Sequence, residues 1–287
     1  MQVYETPGAV RRASEGWRAE GLSVGLVPTM GALHEGHLSL VERAAAGCDR
    51  VVASVFVNPT QFGAGEDFER YPRDLKRDAG MLSAAGCDAL FAPDVGAMYG
   101  AGGTDLLSGE RTFVEVGRLG EVFEGAARPG HFRGVATVVA MLLLAARPHR
   151  AYFGEKDYQQ LLVLKKMVRE LHFGVEVVGC PIVREPDGLA LSSRNAYLSS
   201  EEREAATALF RALETGRSLY RDGVRKTEEI EAAMMEVLRA GSLVRPDYAA
   251  VVDAESLAPL ERLGESEARA LVAATVGRTR LIDNAAL

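Results

Sequence analysis

Apolar and polar positions along the first 180 residues follow two alternating patterns. Short β-branched runs at 22–27 (LSVGLV), 51–57 (VVASVFV), 88–92, 150–153 and 175–178 predict strands, and helical spacing fills the stretches between them. Residues 1–20 read as a short strand and a helix, and 38–46 (LSLVERAAA) as an amphipathic helix closed by Gly47. Strand, Gly-bearing turn, helix and strand over 22–57 make a βαβ unit, and continued alternation predicts an α/β fold with a parallel sheet. Residues 135–146 are apolar nearly all round, so their helix should pack deep between the sheet and another element, a second subunit among the candidates.

Beyond Cys180 and Pro181 the pattern changes. Ser199 with Glu202 forms a capping box that opens a helix to Gly216, and Thr227 opens another that ends at Gly241. Two strand candidates follow, 247–252 and 268–273. The chain therefore reads as a larger α/β domain, 1–180, and a smaller α+β domain from 181 on. The Gly-rich stretch from Gly96 to Gly109 reads as a mobile surface loop.

Composition narrows the class of partner. With 287 residues the chain is long enough for two cores. Its 33 basic and 40 acidic side chains leave a net charge of −7, which argues against nucleic acid and makes any phosphate site a local one. The N-terminus lacks a signal-peptide pattern, and the longest apolar run, 135–146, falls short of the roughly 20 residues that span a bilayer. A cytoplasmic protein with no membrane partner is expected. Cys48, Cys87 and Cys180 are odd in number and lack metal-ligand spacing, so buried free thiols are expected.

Candidate chemistry begins at PTMGALHEGHL, 28–38, where a strand turns into a helix. His34 and His37 share one face of the first helical turn, beside backbone N–H groups that lack an intrahelical partner. Such an end attracts phosphate, imidazoles there can donate to its oxygens, and Gly36 leaves the backbone open to a flat base or ribose. HxGH is the signature of nucleotidyl-transfer enzymes that activate a carboxylate or phosphate with ATP. Alone, the four letters fit a pair of helix-capping histidines equally well, so the flanking motifs decide.

FVNPTQF (56–62) follows the second of these strands, and the amide of Gln61 both donates and accepts, which suits a ligand with hydroxyl and carboxylate groups. FGEKDYQQL (153–161) ends a later strand and opens a helix. Lys156 offers a point charge to phosphate, Asp157 a contact for a ribose hydroxyl or a metal ion, and Gln160 lies one turn beyond Lys156. DGLALSSRN (187–195) sets Ser192 and Ser193 beside Arg194, a composition that can wrap a triphosphate. ARPGHFRGVAT (127–137) adds Arg128, His131 and Arg133, as a second anion contact or as an interface. Ser23 of GLSVG opens a strand, where a nucleophile-elbow serine would follow one, and no Gly-Lys dipeptide occurs, which removes the P-loop.

In order and length these motifs, with the closing TRLIDN (279–284), resemble the pantoate–β-alanine ligase family nearly end to end; the part after Asn195 is the least distinctive. The resemblance implies a Rossmann-like parallel sheet flanked by helices (1–180) that binds ATP and pantoate, a small α+β lid (181–287) and a homodimer. It implies condensation of D-pantoate with β-alanine at the expense of ATP, through a pantoyl adenylate, with release of pyrophosphate and then AMP. The family's nucleotide contacts fall on Met30, Gly31, Ala32, Leu33, His34, Glu35, Gly36 and His37, on Gly154, Glu155, Lys156 and Asp157, on Val183, and on Leu191, Ser192, Ser193 and Arg194. Its pantoate contacts fall on Gln61 and Gln160. Its Mg²⁺ is placed on Asp78, by position after the second strand. His34, His37, Lys156 and Arg194 would supply charge and donors to the phosphorus centre, with His37 marked as proton donor. HxGH alone leaves two other readings, a different adenylyltransferase and a non-catalytic nucleotide-binding module. The paired Gln61 and Gln160 tell against the first, and the complete charged set against the second.

Overall fold

The computed structural model describes residues 1–63, 65–100, 111–264 and 266–287. The chain divides into two compact units, residues 1–155 with 159–180, and 156–158 with 181–287.

The chain as far as residue 180 runs β1 (Gln2–Tyr4), α1 (Pro7–Ala19), β2 (Val24–Thr29), α2 (Glu35–Gly47), β3 (Arg50–Val55), α3 (Leu75–Ala84), β4 (Ala89–Phe91), α4 (Val95–Tyr99), α5 (Glu124–Ala127), α6 (His131–Ala146), β5 (Arg150–Gly154), α7 (Tyr158–Glu170) and β6 (Glu176–Cys180). Its six strands form one sheet in the order β1-β4-β3-β2-β5-β6, every pair parallel. Adjacent strand residues bury into opposite cores. Leu26, Val52, Phe91 and Ala151 join the side packed by α1, α6 and α7. Their neighbours Val27, Val51, Leu90 and Tyr152 join the side packed by α2 and α3. A strand covered on both faces cannot alternate apolar with polar, which is why these segments read as continuous apolar runs.

Helix α6 is as buried as its composition predicts, with only Leu144 strongly exposed among its large apolar residues. The stretch expected as a loop from Gly96 begins instead inside α4, capped by the Asp94 carboxylate accepting from the Ala97 N–H; positions 101–109 lie outside the described residues.

The second unit holds α8 (Ser200–Ala205), α9 (Ala208–Arg221), α10 (Thr227–Arg239) and an antiparallel meander β7 (Val244–Asp253), β8 (Ala268–Val276) and β9 (Thr279–Ala286). The Ser199–Glu202 capping box forms as expected. The helix it opens is shorter than predicted, because Thr207 tightens the turn: its N–H and its hydroxyl both donate to the Glu204 carbonyl. Gly216 is not a helix end. It lies inside α9, where a Cβ would meet Met234 Sδ at 2.9 Å, and so permits the close approach of α10. β9 escapes the hydrophobic pattern altogether, since it buries Asp283 and Asn284.

Cys87 and Cys180 are buried, whereas Cys48 is only half-buried, with Sγ 3.5 Å from the Tyr152 hydroxyl. Burial pushes the Cys87 thiol up to about 11. Thiol labelling of the folded chain at pH 8 is therefore expected to modify Cys48 well before Cys87; equal rates would contradict the burial. Between pH about 9 and about 11 the unfolded chain gives up a thiol proton that the folded chain keeps, so this group lowers stability as pH rises through that window.

Candidate active site

The order of the sheet locates the crevice. From β2 the chain steps outward to β3 and β4, then returns to lay β5 against the other side of β2. A parallel sheet opens its ligand crevice at the carboxyl ends of its strands where the order reverses. β2 ends at Thr29, β3 at Val55 and β5 at Gly154, and PTMGALHEGHL, FVNPTQF and FGEKDYQQL each straddle or follow one of those ends.

His34 and His37 do cap a helix, in a way that also sets their chemistry. α2 begins three residues earlier than its apolar spacing indicates, with His34 as N-cap and His37 in its first turn. His34 Nδ1 accepts the Gly36 N–H at 3.1 Å, and His37 Nδ1 accepts the His34 N–H at 3.3 Å. A backbone N–H only donates, so in this arrangement Nδ1 is the acceptor side of each ring and Nε2 is the side left to donate. The two rings lie 4.1 Å apart, centroid to centroid. Helix-end N–H groups that the sequence offers to an anion are thus partly taken by the imidazoles.

Gln61 is fixed from several sides. It lies in a single 3-10 turn, Pro59–Gln61, whose N-cap is Asn58. The Asn58 amide donates to Gln61 Oε1 at 3.2 Å and to the Gly134 carbonyl, and Gln61 Nε2 lies 2.9 Å from Met30 Sδ. Gly134 admits this turn against α6, since a Cβ there would stand 2.3 Å from the Thr60 carbonyl oxygen. His131 Nδ1, at 2.8 Å, and Arg128 Nη2, at 3.3 Å, both reach the Gln61 carbonyl, while Arg128 also pairs with Glu66 at 2.6 Å. Burial alone would raise the Glu66 carboxyl, but the Arg128 guanidinium holds it below its ordinary range. The RPGHFRG motif therefore makes internal contacts that seat Gln61; Arg133 lies over the Phe113 ring at 4.6 Å.

Two adjacent glutamines on α7 divide their roles. Gln159 is buried and spends its amide on the Glu124 N–H and on the Leu119 and Val122 carbonyls. Gln160 is half-buried on the first turn of the same helix.

Asp78, where the resemblance places Mg²⁺, is engaged by backbone amides. It is 1% exposed, and each carboxylate oxygen accepts a backbone N–H at 3.0 Å, Oδ2 from Ala32 and Oδ1 from Leu33. Among the described residues no group of three His, Cys, Asp or Glu side chains could hold a metal ion.

The remaining expected nucleotide contacts, apart from Gly154 and Glu155, lie on the second unit. Leu191 N–H donates to the Val183 carbonyl at 3.0 Å, and a β-bridge between Arg184 and Ala190 closes this hairpin around Gly188, whose φ is +93°. Ser192 follows directly and caps a 3-10 turn, Ser193–Tyr197, by accepting the Arg194 N–H. Lys156 Nζ is 3.8 Å from Asp157, and its carbonyl accepts from Asn284 Nδ2 at 3.0 Å. Asp283 beside it takes both arms of Arg184, at 2.6 and 2.9 Å. The TRLIDN segment is thus the hub that ties the 183–191 hairpin to the Lys156 corner. Sequence reading missed Asn58, Gln159 and Asn284, all buried amides or members of motifs read for other residues.

The pantothenate synthetase of Rubrobacter xylanophilus is 70% identical over 285 residues, covering 99% of this chain and 98% of that one. A crystal structure of pantothenate synthetase from Thermus thermophilus superposes with a TM-score of 0.90 at 53% identity, covering 99% of both chains. A pantoate–β-alanine ligase from Francisella tularensis, solved with β,γ-ATP and β-alanine, matches with a TM-score of 0.79 at 32% identity, over all of this chain and 97% of that one. The family model for pantoate–β-alanine ligase matches residues 2–286, and the chain belongs to that family.

Proposed function

We infer that this chain joins D-pantoate to β-alanine at the expense of ATP, forming pantothenate through a pantoyl adenylate. The observation that carries this reading is the pair of histidines that open α2 with Nδ1 turned to the backbone, with the Gln61 amide beside Met30 of the same motif. In the first step a pantoate carboxylate oxygen attacks the α-phosphorus and the bond to the β-phosphate breaks, releasing pyrophosphate. Charge grows on the phosphorus oxygens and on the departing group, so the chain's contribution is positioning and electrostatics. His37, as Nε2–H donor, and His34 meet that charge, with the Lys156 ammonium as a point charge and the Arg194 guanidinium as a forked donor to the phosphates. In the second step the β-alanine nitrogen attacks the acyl carbon, the acyl–phosphate oxygen bond breaks, AMP leaves and the amine sheds a proton.

Mg²⁺ is expected to enter on the triphosphate oxygens, its usual ligands, and not on Asp78. No helix among the described residues is long and apolar enough to cross a membrane. A cytoplasmic homodimer is the accompanying expectation, and sedimentation of the purified chain checks the dimer.

ATP–pyrophosphate exchange tests the reaction. Exchange should require D-pantoate and proceed without β-alanine; exchange absent with pantoate, or supported by unrelated acids, would overturn the reading. Gln160→Ala should raise the pantoate requirement roughly 5- to 150-fold, the loss of about 1–3 kcal/mol when a buried polar partner goes unsatisfied. ATP affinity measured without pantoate should change little, and an equal loss in both would place Gln160 in the nucleotide site.

A further inference from the structure

We propose that Asp78 is a positioning residue, whose carboxylate holds the backbone of 31–33 in the left-handed turn that aims His34 and His37. The inference rests on the nucleotide-loop reading above, and its physical part stands on contacts within the first unit.

Asp78 lies in the first turn of α3, outside the motif it serves, and brings a buried carboxylate against Ala32 and Leu33. A carboxylate removed from water is tolerated only when strong donors replace its hydration, and two backbone N–H groups do so here. The loop in turn requires the carboxylate. Ala32 stands at φ +51°, a conformation that an L side chain adopts at a cost, immediately after Gly31 at φ +81°. A Cβ on Gly31 would meet Asp78 Oδ2 at 2.8 Å and Val55 Cγ1 at 3.1 Å, so glycine is what lets the carboxylate reach the next amide. Thr29 pins the entrance, donating to the Ser54 carbonyl at 2.6 Å and accepting from the Gly31 N–H at 3.2 Å. Three successive amides, 31 to 33, are thereby turned to the protein interior. The next residue is His34, whose direction from the loop is set by that turn.

Asp78→Asn tests this, since the amide keeps the shape and sets one N–H donor against a backbone donor. Adenylate formation at saturating ATP and pantoate should fall by about 10²-fold, the effect of a misplacement near 1 Å. Hydrogen exchange at the Ala32 and Leu33 amides should lose protection. Gly31→Ala should give both effects from the other side, because its methyl points inward at Asp78. Leu82→Ala, a cavity in the same helix at a fully buried position, should lower stability while leaving both readouts near the parent. A normal rate with intact exchange protection in Asp78→Asn, or a loss matched by Leu82→Ala, would overturn the proposal. So would a lost rate that raised Mg²⁺ restores, which would return Asp78 to the metal. If the parent chain showed no exchange activity, amide protection would still decide whether the clamp exists.

Discussion

His37→Asn should leave the folded chain nearly as stable as the parent and slow adenylate formation by about 10²- to 10³-fold. The imidazole does two jobs that this substitution separates. Its Nδ1 accepts the His34 N–H and so closes the start of α2, and an asparagine oxygen can occupy nearly the same place. On the proposed mechanism its Nε2 side donates to the phosphates and strengthens that bond as charge moves to the leaving pyrophosphate, and asparagine has no atom that far from the backbone. His37→Ala removes both, so it should add a destabilisation of about 1 kcal/mol, the usual cost of a lost cap, to the same kinetic loss. Rapid-quench measurement of adenylate, with thermal melts of each variant, reads the two effects apart. Adenylate formation at the parent rate in His37→Asn would reduce His37 to a capping residue.

Asp283→Ala should cost about 3–5 kcal/mol of stability, because it strands a largely buried guanidinium. The Asp283 side chain is 2% exposed and that of Arg184 22%, and their two-armed contact leaves little room for water to compensate. Asp283 also accepts the Asn284 N–H at 2.8 Å, so its loss loosens the strand that carries the Asn284 amide to the Lys156 carbonyl. Urea unfolding gives the energy, and the loss should persist in 0.5 M salt, which screens exposed pairs far more than buried ones. A loss under about 1 kcal/mol would put this pair with ordinary surface ion pairs.

Much of this architecture is legible in the chain because the physics that makes it is local. Strands covered on both faces leave unbroken apolar runs, so β2, β3 and β5 can be read to within two residues at each end. Legibility fails where polar groups do structural work. β9 buries Asp283 and Asn284 and so breaks the alternation that would mark it, and α2 starts at histidines that no apolar period records. Gly216 resembles a helix stop, yet it is a contact surface for Met234 and Ile230, knowledge that requires a second helix. The motifs place Gln61 and the histidines near one another because they follow adjacent strands. Nothing in their spacing shows that Arg128 and His131 serve the Gln61 carbonyl, since those contacts span 67 and 70 residues. Asp78 is a further case: nothing in its place after the second strand shows that its two oxygens accept the Ala32 and Leu33 amides 46 and 45 residues away.

The place of β5 in the sheet also bears on how the chain is made. Gly25 pairs with Arg150, and the neighbouring Val24 N–H bonds His149 across 125 residues of sequence. At a synthesis rate of about 5–20 residues per second, β2 waits about 6–25 s on the ribosome for its second neighbour. For that interval one side of the strand leading into the histidine loop is an open edge, able to template pairing with another nascent chain. The seam on which the crevice is built thus closes only once the chain has been made as far as β5, about its midpoint, and until then the histidine loop hangs from a strand paired on one side alone.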